Sequence, residues 1–138
     1  MDEVYDGVYI CNRQQACEAS KTNIDTVITV CQDGISETVP GKYYHFELRD
    51  GSHDRERFKE AVEATLKHIE KGDTIIVHCH EGISRSPSVV IAALSIHLKK
   101  DVREVTSMIQ DKRPVISPAP ELWDSIKDVG VEEIPYTN

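Results

Sequence analysis

The pattern of apolar and polar positions divides the chain into short β-branched runs and longer helical repeats. Val4–Cys11 alternates loosely about Asp6-Gly7, which predicts two short strands joined by a turn. Asn12 is placed to cap a helix over Arg13–Ser20, its side chain taking orphan amides of the first turn. Asp25–Cys31 (D-T-V-I-T-V-C) predicts a buried strand, because β-branched side chains suit a pleated, covered surface. Gln32–Lys42, with Gly34, Pro40 and Gly41, reads as a loop, Tyr43–Leu48 as another strand and Arg49–Asp54 as a polar turn. Arg55–Lys71 places Phe58, Val62, Leu66 and Ile69 at helical spacing; Gly72-Asp73 ends that helix and Thr74–Val77 returns to strand. The next helix runs from Pro87 to about Lys100 and is apolar almost all round through V-V-I-A-A-L-S-I, as a central helix must be. Val102–Lys112 predicts a helix with Val105, Met108 and Ile109 inward. R-P-V-I-S-P-A-P is then rigid and extended, and Glu121–Val129 forms a last helix through Leu122, Trp123 and Ile126, before a tail expected to fray.

Strands separated by helices predict one α/β domain over residues 1–138, with a mainly parallel central sheet flanked by helices. Composition agrees: 138 residues, 39% apolar and 29% charged, suit a compact soluble domain. No stretch approaches the ~18 consecutive apolar residues of a membrane span, and no basic-then-apolar leader opens the chain. A net charge of −8 argues against a nucleic-acid surface, which needs a positive footprint, but not against a small anion in a locally positive pocket. Cys11, Cys17, Cys31 and Cys79 have no metal-ligand spacing, so neither metal nor cofactor is expected. Free thiols in a reducing, cytoplasmic setting and a monomeric state are the simplest expectation.

Candidate chemistry is concentrated in Ile75–Ser86, I-I-V-H-C-H-E-G-I-S-R-S. A β-branched run ends at His78-Cys79, five residues follow, and Arg85 and Ser86 stand at the start of the apolar helix. In α/β folds, ligands gather at the carboxyl ends of strands, where Cys79 falls. Gly82 permits backbone angles closed to other residues, so the amides of His80, Glu81, Gly82, Ile83 and Ser84 can turn inward as an anion nest at a helix amino end. The same field favours a thiolate at Cys79. Arg85 can hold two phosphoryl oxygens with its planar fork, Ser86 can hydrogen-bond the Cys79 sulfur, and His78 can brace the loop. Glu81 is placed either to orient Arg85 or to face solvent, and His80 to face solvent.

H-C-H-E-G-I-S-R-S resembles the signature of cysteine-dependent protein phosphatases, and V-H-C-x-x-G-x-S-R-S-P is most similar to their small dual-specificity group. The likeness runs from about Tyr5 to Val129: Tyr44–Asp50 resembles the strand leading to the general-acid loop, and R-P-V-I-S-P the stretch before the last helix. Many members carry Asn after the proline that matches Pro118, where this chain has Ala119 and so lacks one hydrogen bond near the loop. The resemblance implies Cys79 as nucleophile, Arg85 as phosphate clamp and Asp50 as general acid, with a phosphocysteine intermediate. Asp54 is the second choice of acid, although it can instead cap Arg55–Lys71. The implied substrate is a phosphorylated protein or peptide, on tyrosine and on serine or threonine. A phosphoinositide or RNA 5′-triphosphate substrate, or a non-catalytic phosphopeptide-binding module, are the alternatives, and the loop lacks the paired lysines that a highly charged headgroup favours.

Overall fold

A computed structural model describes residues 1–19, 23–35, 39, 41–49 and 54–132. The β-branched runs become strands β1 (Asp2–Tyr5), β2 (Val8–Cys11), β3 (Thr26–Thr29), β4 (Lys42–His45) and β5 (Ile75–His78). The helices are α1 (Arg13–Ala19), α2 (Arg55–Glu70), α3 (Arg85–Leu98), α4 (Val102–Lys112) and α5 (Pro120–Val129). The strands form one sheet in the order β1-β2-β5-β3-β4, antiparallel only between β1 and β2. This is the expected α/β domain with a mainly parallel sheet between helices.

Strand alternation sorts side chains onto the two faces. Cys11, Val27 and Ile76 meet Ala16 of α1 on one face. Ile10, Ile28, Ile75 and Val77 join the main core beneath α2–α5 on the other. Helix α3 is the centre of that second layer: it packs against α2, α4, α5 and β5, and Val89–Leu94 are all buried. Its nearly continuous apolar sequence follows from this position, since neighbours on several sides leave no solvent face to make polar.

Asp54 caps α2 by accepting from the Arg57 amide at 3.1 Å, and Asn12 accepts from the Gln15 amide at 2.8 Å. Buried His68 ties α2 to the sheet: Nδ1 donates to the Asp73 carboxylate at 2.6 Å, and Nε2 shares a hydrogen bond with the Tyr44 hydroxyl at 3.0 Å. Every polar atom of that ring is thereby satisfied, as burial demands.

Of the boundaries that differ from the sequence reading, three have a direct physical reason. Helix α3 begins at Arg85, two residues before Pro87, because a proline in the first turn forfeits only an amide that has no helical partner. Helix α5 likewise takes in Pro120 at its first position. Strand β4 stops at His45 rather than Leu48: the Phe46 amide still bonds Thr29, but the Leu48 amide turns back to the Phe46 carbonyl. That tight bend buries the Leu48 side chain and turns its carbonyl toward α3. Among the described residues no helix is long and apolar enough to cross a membrane.

The full burial of Ile91 in α3 sets a stability test. Ile91→Ala should lower the unfolding free energy by about 2–5 kcal/mol in urea titration, through lost burial and the cavity left behind.

Candidate active site

Strand β5 is central, and its last residue, His78, is in register with Cys11 of β2 and Thr29 of β3. Cys79 therefore emerges between two neighbouring strands at the carboxyl edge of the sheet, where the strand order reverses. Residues 79–84 then fold into a tight loop that delivers the chain to α3.

The carbonyls of this loop are turned outward, each with a donor outside the loop's interior. The Arg13 amide holds the His80 carbonyl at 3.1 Å. Arg113 donates from Nε to the Gly82 carbonyl at 2.8 Å and from Nη2 to that of Glu81 at 3.3 Å. The Ser117 amide holds the Ile83 carbonyl at 2.7 Å, and the Ser88 amide holds that of Ser84 at 3.0 Å. With its carbonyls held outside, the loop's amides face the opposite way, toward Cys79, and the Gly82 amide donates to Cys79 Sγ at 3.3 Å. Gly82 has φ +71°, and a Cβ there would lie 2.7 Å from the Cys11 carbonyl oxygen, so conformation and space both require glycine.

Ser86 Oγ lies 3.3 Å from Cys79 Sγ. Arg85 is 8% exposed and donates from Nη1 to the Leu48 carbonyl at 3.1 Å, which explains why the chain bends after β4. Cys79, Glu81, Ile83, Ser84 and Arg85 border a pocket of about 290 Å³, closed on another side by Ser117 and Ala119. The Ala119 amide donates to Ser84 Oγ at 2.9 Å, so this segment braces the loop through its backbone although it lacks an amide side chain at that position.

Behind the cysteine, His78 heads a buried chain of hydrogen bonds. Its Nδ1 faces the Cys79 carbonyl at 3.3 Å, and a carbonyl only accepts, so Nδ1 carries the proton. Nε2 then accepts from Thr29 Oγ1 at 2.6 Å, Thr29 accepts from the Tyr43 hydroxyl at 3.0 Å, and Tyr43 accepts from the Ile35 amide at 3.2 Å. Burial, only partly offset by the bond to the Cys79 carbonyl, pushes the His78 pKa down to about 4, so the ring is neutral at pH 7. Burial also raises Cys31, and raises Cys11 to about 12, keeping both as thiols.

The structure thus gathers Cys79, Gly82, Ser86 and Arg85 about one pocket, with His78 behind it. The His80 ring is half exposed and pairs with Asp33 at 3.2 Å. Asp54 is occupied at the amino end of α2, where its carboxylate also pairs with Arg57 at 3.7 Å. Asp50 lies outside the described residues. Arg113 and Thr29 escape a reading of the sequence. Thr29 looks like any β-branched strand residue, and Arg113 reads as a cation at a helix end before a proline.

A nest of amides closed over a cysteine, with an arginine at the following helix start, is the architecture of a cysteine-dependent phosphatase. Residues 8–131 match the family described as the dual specificity phosphatase catalytic domain, and the chain belongs to that family. It is 30% identical over 107 residues to MAP kinase phosphatase with leucine-rich repeats protein 3 of Dictyostelium discoideum, covering 76% of this chain and 12% of that protein. It is 25% identical over 123 residues to dual specificity protein phosphatase 22-A of Danio rerio, covering 86% of this chain and 59% of that protein. It therefore spans less than two thirds of the length of either relative. The crystal structure of human DUSP28 superposes with a TM-score of 0.78 at 17% identity, covering 94% of each chain, a likeness of fold.

The depressed His78 pKa has a signed consequence. Between pH 6.5 and about 4 the unfolded chain takes up a proton there that the folded protein does not, so stability falls as pH falls through this window, by up to about 3 kcal/mol. Urea unfolding across pH 7 to 5 should show a shallower fall for His78→Asn than for the parent protein. For Arg113→Met, which strips the Glu81 and Gly82 carbonyls of their donor, we expect a loss of about 1–3 kcal/mol in stability. Vanadate inhibition should weaken roughly tenfold in the same variant, measured well below its unfolding midpoint.

Proposed function

We propose that this chain, over residues 1–138, is one catalytic domain that hydrolyses phosphotyrosine and phosphoserine or phosphothreonine monoesters in proteins. The observation that carries the reading is the Cys79 sulfur under the Gly82 amide and beside the Ser86 hydroxyl, with Arg85 bordering the same pocket. The Cys79 thiolate attacks phosphorus in line, forming an S–P bond as the ester P–O bond breaks. Loop amides and the Arg85 guanidinium stabilise charge on the equatorial oxygens. Asp50 protonates the departing alkoxide or phenolate, which is a poor leaving group as an anion. The ionised Asp50 then takes a proton from water as that water attacks phosphorus, releasing phosphate and restoring the thiolate. Ser86 stabilises the sulfur as it is expelled. Neutral, buried His78 takes no part in proton transfer and holds the Cys79 carbonyl.

Magnitudes reconcile this with an acidic chain. A phosphoryl oxygen in contact with a cation gains ~4 kcal/mol at an effective dielectric of about 20, whereas exposed charges beyond about 8–10 Å are largely screened by physiological salt. A buried guanidinium at the pocket therefore outweighs a dispersed net charge of −8. Beside the loop the pocket is lined by Ser117 and Ala119, small residues that leave room for alkyl as well as aryl phosphates. A phosphoprotein in the cytoplasm, met by a monomeric enzyme that needs no metal or cofactor, fits this chemistry.

Purified protein should turn over p-nitrophenyl phosphate and phosphopeptides of all three hydroxy amino acids. Cys79→Ser should abolish turnover while retaining phosphate binding. Asp50→Ala should lose about 10²–10⁴-fold in kcat on alkyl phosphates and far less on substrates with good leaving groups. Equal small losses on both would assign the acid elsewhere.

A further inference from the structure

The cradle uses the backbone of Glu81 and leaves its side chain without a task. The Glu81 carbonyl is pinned by Arg113, yet the residue is exposed and borders the Cys79 pocket. It also borders an adjoining hollow of about 380 Å³ shared with Asn12, Gln14 and His80. Among the described residues no hydrogen bond or ion pair engages its carboxylate.

The basic side chains around it are engaged elsewhere. His80 faces Asp33 at 3.2 Å. Arg13, which also lines the hollow, donates to the Gly34 carbonyl at 2.7 and 3.1 Å. Arg113 is shared between the loop carbonyls and Asp2, the latter at 2.8 Å. A negative charge thus stands at the mouth of a pocket whose ligand is itself an anion. Taken alone it weakens binding; it helps only when the ligand brings a positive charge to the same place.

We propose that Glu81 is a specificity-determining residue that selects phosphopeptides with a lysine or arginine next to the phosphorylated residue. The inference rests on the phosphatase reading and sharpens its substrate class. The carboxylate attracts the flanking ammonium or guanidinium and repels ligands with further negative charge, such as polyphosphorylated headgroups, triphosphates and acid-flanked phosphopeptides. Because the interacting groups lie at the solvent edge, salt weakens the selection.

The test compares kcat/KM for matched phosphopeptides differing only in Lys or Glu beside the phosphoresidue, with p-nitrophenyl phosphate as a reference lacking flanks. The parent protein should prefer the Lys-flanked peptide by about fivefold at low ionic strength, mainly through KM, and by less in physiological salt. Glu81→Gln should bring the ratio close to one, and Glu81→Lys should invert it. Equal ratios in the parent and Glu81→Gln would overturn the proposal. So would a shift of the ratio by Arg49→Gln, which removes the exposed cation following Leu48, without a shift by Glu81→Gln. Turnover of p-nitrophenyl phosphate with a flat peptide ratio removes the role of Glu81 and leaves the phosphatase reading intact. No turnover of any substrate removes both.

Discussion

The site depends on one constraint: the carbonyls of residues 80–84 must be held away from the pocket. A tight loop that points its amides at an anion has to place the opposite ends of its peptide dipoles somewhere, and a carbonyl left buried and unpaired costs about 1–3 kcal/mol. Here the donors come from four separate places in the chain: Arg13 at the start of α1, Ser88 in α3, Arg113 at the end of α4 and Ser117 in the segment before α5. The cradle is therefore a property of the assembled domain. Helices α1 and α4 lie on opposite sides of the sheet, and each supplies part of the support for one loop.

The sheet and α3 set the frame in which that support is possible. Strand β5 enters between β2 and β3, so His78, the residue before Cys79, is fixed from both sides by parallel ladders. Helix α3 leaves the loop at once into a core that surrounds it, which fixes the direction of Arg85 and Ser86. The bend after β4 completes the arrangement by giving Arg85 a carbonyl partner at Leu48. The polar chain from His78 through Thr29 to Tyr43 then carries the Cys79 carbonyl's hydrogen bonding across to the sheet edge without a buried unsatisfied atom.

Electrostatics divide by depth. Arg85 and Arg113 are each 8% exposed, and neutral His78 keeps a second positive charge away from the back of the site. At the mouth, Glu81, His80 and Asp33 are exposed, so their effects are weaker and dependent on salt. Salt therefore acts chiefly on the charges at the rim and little on those at the floor.

The sequence by itself determined the local facts. Periodicity located the five strands and five helices found among the described residues, since alternation and 3.6-residue spacing record which side of each element faces the core. The run from His78 to Ser86 carried glycine, cysteine, arginine and serine at spacings that close over an anion, and so announced the loop and its class of chemistry. It also showed where helices could begin, within two residues, because a proline marks the first turn without saying which of its positions it fills. Only the tertiary structure decided what holds the loop in shape. Thr29, Leu48, Arg113 and Ala119 act on it through a hydroxyl, a carbonyl, a guanidinium and an amide from 31 to 49 positions away from the residues they bond, Ala119 being 35 from Ser84. Backbone donors and acceptors are the same in every sequence, and a lone arginine or threonine leaves no periodic trace. Which of them meet is settled by packing alone.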